Sequence, residues 1–283
     1  MFNLIRMDLY RMLHTGSTWI LIGIISLFAV LSFYMGVVDQ RLMEETGETD
    51  SNFVIKGEDE EGMQFGIMVN TPYHEDGSMA AYLEYVCADL QSGILLVFIS
   101  IFVVVYVNAE EKSGFIKNIA GQFPNRFWIY LSKNIAVALF VLMAMLAYMV
   151  MQIVGFLIWH SGAPFGLDMA GEALRYGVIQ WILMSAFAAG LVLITALIKS
   201  TAIGITIGIM TSCGFSQIFL GFYYKIFQNT KLRVEEYLIT NNIKMITYNS
   251  SMDKLWHAVL VGVVFLAVYN VIGSVMMQKR DVV

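Results

Sequence analysis

Six stretches of this 283-residue chain contain no Asp, Glu, Lys or Arg: Ser17–Val38, Leu90–Val107, Asn134–Trp159, Tyr176–Ile198, Ser200–Tyr224 and Leu255–Gln278. An α-helix needs about 20 apolar residues to cross the hydrocarbon of a bilayer, and a charge at mid-span costs roughly 2.5–3.5 kcal/mol on insertion scales. Six clean windows in a chain that is 14% charged are therefore a membrane signature. Pro72, Pro124 and Pro164, the only prolines, all fall between the windows, which predicts uninterrupted helices within them. Segments of about ten residues with alternating polarity, the mark of a membrane β-barrel, are absent. The expected fold is all-α and polytopic, one membrane domain over residues 1–283 with six transmembrane helices at about 17–38, 87–107, 134–159, 176–198, 200–224 and 255–278. The first window lacks a small-residue cleavage site and reads as a retained helix rather than a signal peptide.

The net charge of −5 conceals an asymmetry. If both termini share one side, that side holds 9 Lys and Arg against 4 Asp and Glu, and the other side holds 8 against 18. The basic residues of the first side sit on about half as many positions, so the positive-inside rule places both termini in the cytoplasm. The outer side then includes an acidic segment, 39–86, with the run Glu58-Asp59-Glu60-Glu61, and a mixed-charge segment, 225–254. Between spans four and five only Lys199, with Ser200, is left for a connection.

Two cytoplasmic elements have amphipathic patterns. In the first, residues 1–16, Phe2, Ile5, Leu9, Met12 and Leu13 recur at helical spacing among Arg6, Asp8, Arg11 and His14. This predicts a short elbow helix on the membrane face, with Arg6 and Arg11 near anionic headgroups. The second is the region 108–133, where Phe115, Ile119 and Phe123 recur every fourth residue beside Ile116, with Lys112 and Lys117 off that face. A short amphipathic helix between two spans is a natural docking element for a soluble partner. Span five also places Ser200, Gly204, Gly208, Ser212 and Ser216 at every fourth position, a stripe that allows close helix packing within one chain or across a dimer.

Several chemistries are missing from the sequence. It has no Walker-type phosphate loop, no HExxH and no paired-cysteine spacing, and His14, His74, His160 and His257 are far apart. No catalytic residue and no metal site are expected. Asp89 and Lys133 read as span edges, leaving no ionisable group in the middle of the membrane, where an ion-coupled carrier usually keeps one.

Six spans, an elbow helix and a coupling region resemble the permease subunits of type-2 ATP-binding-cassette (ABC) transporters. The loose motif that carries the resemblance is Glu110, Glu111, Gly114, Phe115, Ile116, Pro124, Arg126 and Lys133. The resemblance implies a bacterial cytoplasmic-membrane exporter, not itself an enzyme, with a second permease copy (identical or related) and a dimer of cytosolic ABC ATPase subunits that hold ATP and Mg. Coupling to the ATPase would fall to Glu110, Glu111, Lys112, Gly114, Phe115, Ile116, Lys117, Ile119 and Phe123. Spans one and five would line the dimer interface, with Gly204, Gly208 and Ser212 in close packing and Phe215 and Phe219 on a lateral path. The expected cargo is an amphipathic antimicrobial or toxin-like peptide, with membrane lipid as a further partner and no nucleic acid. The alternatives are an ion-coupled secondary transporter or channel, and a membrane sensor or scaffold that uses the acidic outer segment.

Overall fold

The computed structural model describes residues 2–46, 72, 80–114, 126–159, 162, 164–226 and 233–279. Among the described residues there is no strand. The helices are α1 (Phe2–His14), α2 (Gly16–Thr46), α3 (Tyr82–Ser92), α4 (Ile94–Lys112), α5 (Phe127–Trp159), α6 (Ala170–Ile198), α7 (Thr201–Ser212), α8 (Ser216–Ile226), α9 (Ile239–Met245) and α10 (Met252–Lys279), with 3-10 turns at Leu167–Met169 and Val234–Tyr237. Among the described residues five helical stretches are long and apolar enough to cross a membrane: Gly16–Asp39, Ile94–Lys112, Phe127–Trp159, Leu167–Ile198 and Met252–Lys279. The chain is an all-α, multi-pass membrane protein.

The remaining apolar stretch, Ser200–Tyr224, is not one uninterrupted helix. It is α7 and α8, separated at Cys213–Phe215, where Gly214 takes φ 87°. The Phe215 N–H bonds the Met210 carbonyl at 3.0 Å and the Gly214 N–H bonds the Thr211 carbonyl at 3.2 Å. This pair of backward bonds closes a helix on a left-handed glycine. The second stretch is interrupted in the same way. Gly93, at φ 80°, divides α3 from α4. Counting apolar residues is blind to both breaks, because glycine is neutral on a hydropathy scale and only its backbone freedom ends the helix.

α4 and α6 form the core. Each has 72% of its most apolar window buried, against 28% for α10. α6 packs against α10, α5, α4, α9, α3 and α7. α2 lies on α5 and shows a broad apolar face, including Trp19, Ile20, Leu27 and Leu31, away from the bundle. In water such a face would favour aggregation; against acyl chains it is the expected outer surface. The corner between α1 and α2 is set by side chains. The Thr18 hydroxyl donates to the Met12 carbonyl and the Trp19 indole to the Leu13 carbonyl, both at 2.7 Å, satisfying acceptors that the end of α1 leaves open.

Candidate functional site

The first buried polar site lies where α1 meets the end of α4 and the beginning of α5. α1 turns Leu4, Asp8 and Met12 inward, one residue per helical turn. Asp8 accepts a 2.6 Å hydrogen bond from the Ser132 hydroxyl of α5 and lies 3.8 Å from the Arg11 guanidinium. Arg11 also forms an ion pair with Glu110 of α4, and Glu110 forms a second ion pair with Lys133 of α5. Glu110 is 3% exposed and Lys133 is 4%. The aromatic ring of Tyr106 lies 4.7 Å beneath the Arg11 guanidinium, and its hydroxyl donates to the Asp8 carbonyl at 3.3 Å. Two carboxylates and two cations thus balance with no net charge, which is how charges are tolerated out of water. Burial still raises the Asp8 carboxyl above its ordinary range, against the opposing effects of Ser132, Arg11 and Lys133.

The position of the cluster decides what it can transmit. α4 ends at Lys112, and Gly114 turns the chain at φ 66°. α5 starts at Phe127. The ion pair between Glu110 and Lys133 therefore ties together the two helices that flank residues 115–125, and Arg11 adds α1 to the same tie.

Several residues singled out in the sequence sit elsewhere than expected. Glu110 faces inward and forms ion pairs with Arg11 and Lys133. Arg11 is half-buried and turned toward Glu110 rather than toward headgroups; Arg6 is exposed. Lys112 is exposed, and Glu111 and Gly114 are half-buried. Phe115, Ile116, Lys117, Ile119 and Phe123 lie outside the described residues. Gly204, Gly208 and Ser212 are buried on α7, but they pack within the chain. A Cβ on Gly208 would come within 2.7 Å of Ser100 Cβ, and one on Gly204 within 2.9 Å of Val104, both on α4. The Ser212 and Ser100 hydroxyls lie 3.2 Å apart. The stripe therefore packs on α4 within the chain, one of the two arrangements its spacing allows. Phe215 is half-buried in the break between α7 and α8; Phe219 falls on α8, its side chain outside the described set.

The second polar site is in the opposite half of the bundle, on α3. The Asp89 carboxylate accepts from the Ser32 hydroxyl of α2 at 3.0 and 3.1 Å, from the Tyr148 hydroxyl of α5 at 3.1 Å, and from the Gln152 amide of α5. Asp89 is 6% exposed, and among the described residues no Lys, Arg or His forms an ion pair with it. Beside it, α9 is tucked between α3, α6 and α10. The Gln180 amide of α6 donates to the Ile243 carbonyl at 3.0 Å, and the Gln91 amide to the Lys244 carbonyl at 2.6 Å. Burial lowers the proton affinity of the Lys244 amine below the usual lysine value.

The balanced cluster could have been sought from the sequence. Asp8 and Arg11 are one turn apart on one helix, and Glu110 and Lys133 are charges just outside two consecutive apolar windows. Asp89 precedes its window by one residue, so the rule that defined the window also hid it.

No protein-family model matches the chain, and no curated protein matches it at a significant level.

Proposed function

We propose that this chain is the membrane-spanning permease subunit of an ATP-driven exporter, energised by separate cytosolic ATPase subunits that carry ATP and Mg. The observation that supports this reading best is the clamp of Arg11, Glu110 and Lys133. It binds α1, α4 and α5 into one lever at the two ends of residues 115–125. The sequence pattern of that segment, Phe115, Ile119 and Phe123 at fourfold spacing, suits a helix that a soluble protein could grip. Within this reading α1 is an elbow on the cytoplasmic face, and both termini are cytoplasmic. The broken pairs α3–α4 and α7–α8 each count as one span, making six. The permease works as a dimer, and its cargo is an amphipathic antimicrobial or toxin-like peptide. Glu110 acts here by positioning α4 and α5, while contact with the ATPase falls to Lys112, Phe115, Lys117 and Phe123.

The test is to purify the full chain from its native membrane and identify what co-purifies. An ATP-binding subunit whose hydrolysis depends on the permease is expected, and Phe115→Asp should abolish its recovery. Recovery and turnover unaffected by Phe115→Asp would overturn docking at this segment. An ion-coupled carrier is the second reading, and the buried Asp89 is the observation that favours it. It predicts that vesicles holding only this chain move cargo when given an ion gradient.

A further inference from the structure

Asp89 poses a question that the clamp does not. A carboxylate away from water is stabilised by a cation, by hydrogen-bond donors or by taking up a proton, because an isolated buried charge is far more costly than a neutral acid. Among the described residues, the elements around Asp89 bring no cation into an ion pair with it. α2 contributes Ser32, and α5 contributes Tyr148 and Gln152. α6 contributes Tyr176, whose hydroxyl is given to the Cys87 carbonyl at 3.3 Å. On α3 itself the ionisable groups besides Asp89 are Tyr82, Glu84, Tyr85 and Cys87, none of them a cation, and Glu84 accepts from the Tyr248 hydroxyl and the Ala81 N–H. Lys244 of α9 stands on the Gln91 and Gly93 side. Arg175, in the second turn of α6, is half-buried and directed at Met252, its Nη1 3.3 Å from the Met252 sulfur.

The chemistry of the three partners adds a second, independent pointer. In the clamp the groups that face Glu110 are Arg and Lys, which can only donate and so serve only a carboxylate. The groups that face Asp89 can all change role. A hydroxyl donates or accepts. Ser32, inside a helix, can turn its hydrogen onto the carbonyl four residues back and then accept. The Gln152 amide donates through Nε2, while its Oε1 is buried with no donor, on a side chain that is 0% exposed. A half-turn of that amide exchanges donor for acceptor at nearly constant shape.

We propose that Asp89 is a proton-binding site, with Ser32, Tyr148 and Gln152 forming a cradle that accommodates both the charged and the neutral carboxyl. Binding transfers one proton from a hydronium ion to a carboxylate oxygen and leaves one water; no other bond forms or breaks. The protonated O–H then donates to Ser32 Oγ, Tyr148 Oη or Gln152 Oε1. The site joins α2, α3 and α5, so proton occupancy is linked to how those helices sit together. This does not depend on the exporter reading, and its test needs no ATPase.

The test is infrared difference spectroscopy of the full-length chain in lipid nanodiscs, titrated with acid and base. A protonated-carboxyl carbonyl band should titrate, shift in deuterated water, move with carbon-13 aspartate labelling and vanish in Asp89→Asn. Gln152→Leu should retain the band and move its titration midpoint by about one pH unit, a tenfold change in proton affinity, whereas Ser100→Ala should leave it in place. If Asp89→Asn does not fold, the labelled native band and the Gln152→Leu shift decide. Absence of an aspartate band, or a band indifferent to both Asp89→Asn and Gln152→Leu, would overturn the proposal.

Discussion

The clamp at α1, α4 and α5 and the Asp89 cradle are both buried, and both join three helices, yet they neutralise charge in opposite ways. In the clamp, two acids meet two permanent cations, and the arrangement persists as long as the helices do. In the cradle, one acid meets two hydroxyls and an amide. The lesson is that burial alone does not define a site's role. Partners that can only donate fix a charge, while partners that can reverse leave it adjustable.

That contrast yields graded predictions. The largest effect is expected from Glu110→Ala, which strands Arg11 and Lys133 out of water. Breaking one side of a buried ion pair costs about 3–5 kcal/mol, visible as a lowered unfolding midpoint in detergent. Glu110→Met combined with Lys133→Met should lose much less than the two single changes together. Additive losses would show that the pair is not coupled. Next is Asp89→Ala, which leaves donors on α2 and α5 without an acceptor at about 1–3 kcal/mol. Asp89→Asn keeps an acceptor and should cost about 1 kcal/mol or less; if it is as damaging as Asp89→Ala, a fixed charge is required there and the contrast fails.

A smaller effect concerns Asp8. Its folded-state carboxyl holds a proton more tightly than in the unfolded chain. The stability it contributes is therefore full below its unfolded value, about 3.9, and is lost as pH rises through the raised folded value. Asp8→Asn should flatten that decline when unfolding midpoints are compared between about pH 4 and 7. Smallest of all is Arg6→Ala, on the exposed face of α1. Its unfolding midpoint should correspond to a change within about 0.5 kcal/mol, and a larger loss would mean that α1 is held by more than its inward face.

The all-α, multi-pass character was legible because membrane insertion depends on length and charge, and both can be counted along a sequence. The two helix breaks were not legible in that way. Gly93 and Gly214 lie inside apolar windows, and their positive φ is decided by what packs beside them. The small-residue stripe on α7 was visible, but its partner was not. Gly208 fits against Ser100 only because α4 and α7 run side by side, a fact about topology rather than spacing. The clamp was partly visible, since Lys133 stood out as a charge at a span edge and Glu110 as an acid of the coupling region. Which cation each acid would choose depends on helix rotation, and Arg11 could reach Glu110 only once α1 had folded against α5.

The two glycine breaks have a joint consequence. A Cβ on Gly93 would lie 3.7 Å from the Ser212 carbonyl oxygen, so both interruptions fall at one level of the bundle, next to each other. Below that level α4 and α7 form a stiff lower storey; above it the short pieces α3, α8 and α9 make a jointed upper storey. Within these two spans, bending there needs no stretching of a continuous helix, only rotation about two neighbouring pivots. Amide deuterium uptake should accordingly be slow along Leu95–Val107 and Ile203–Ile209, and faster on α3 and α8.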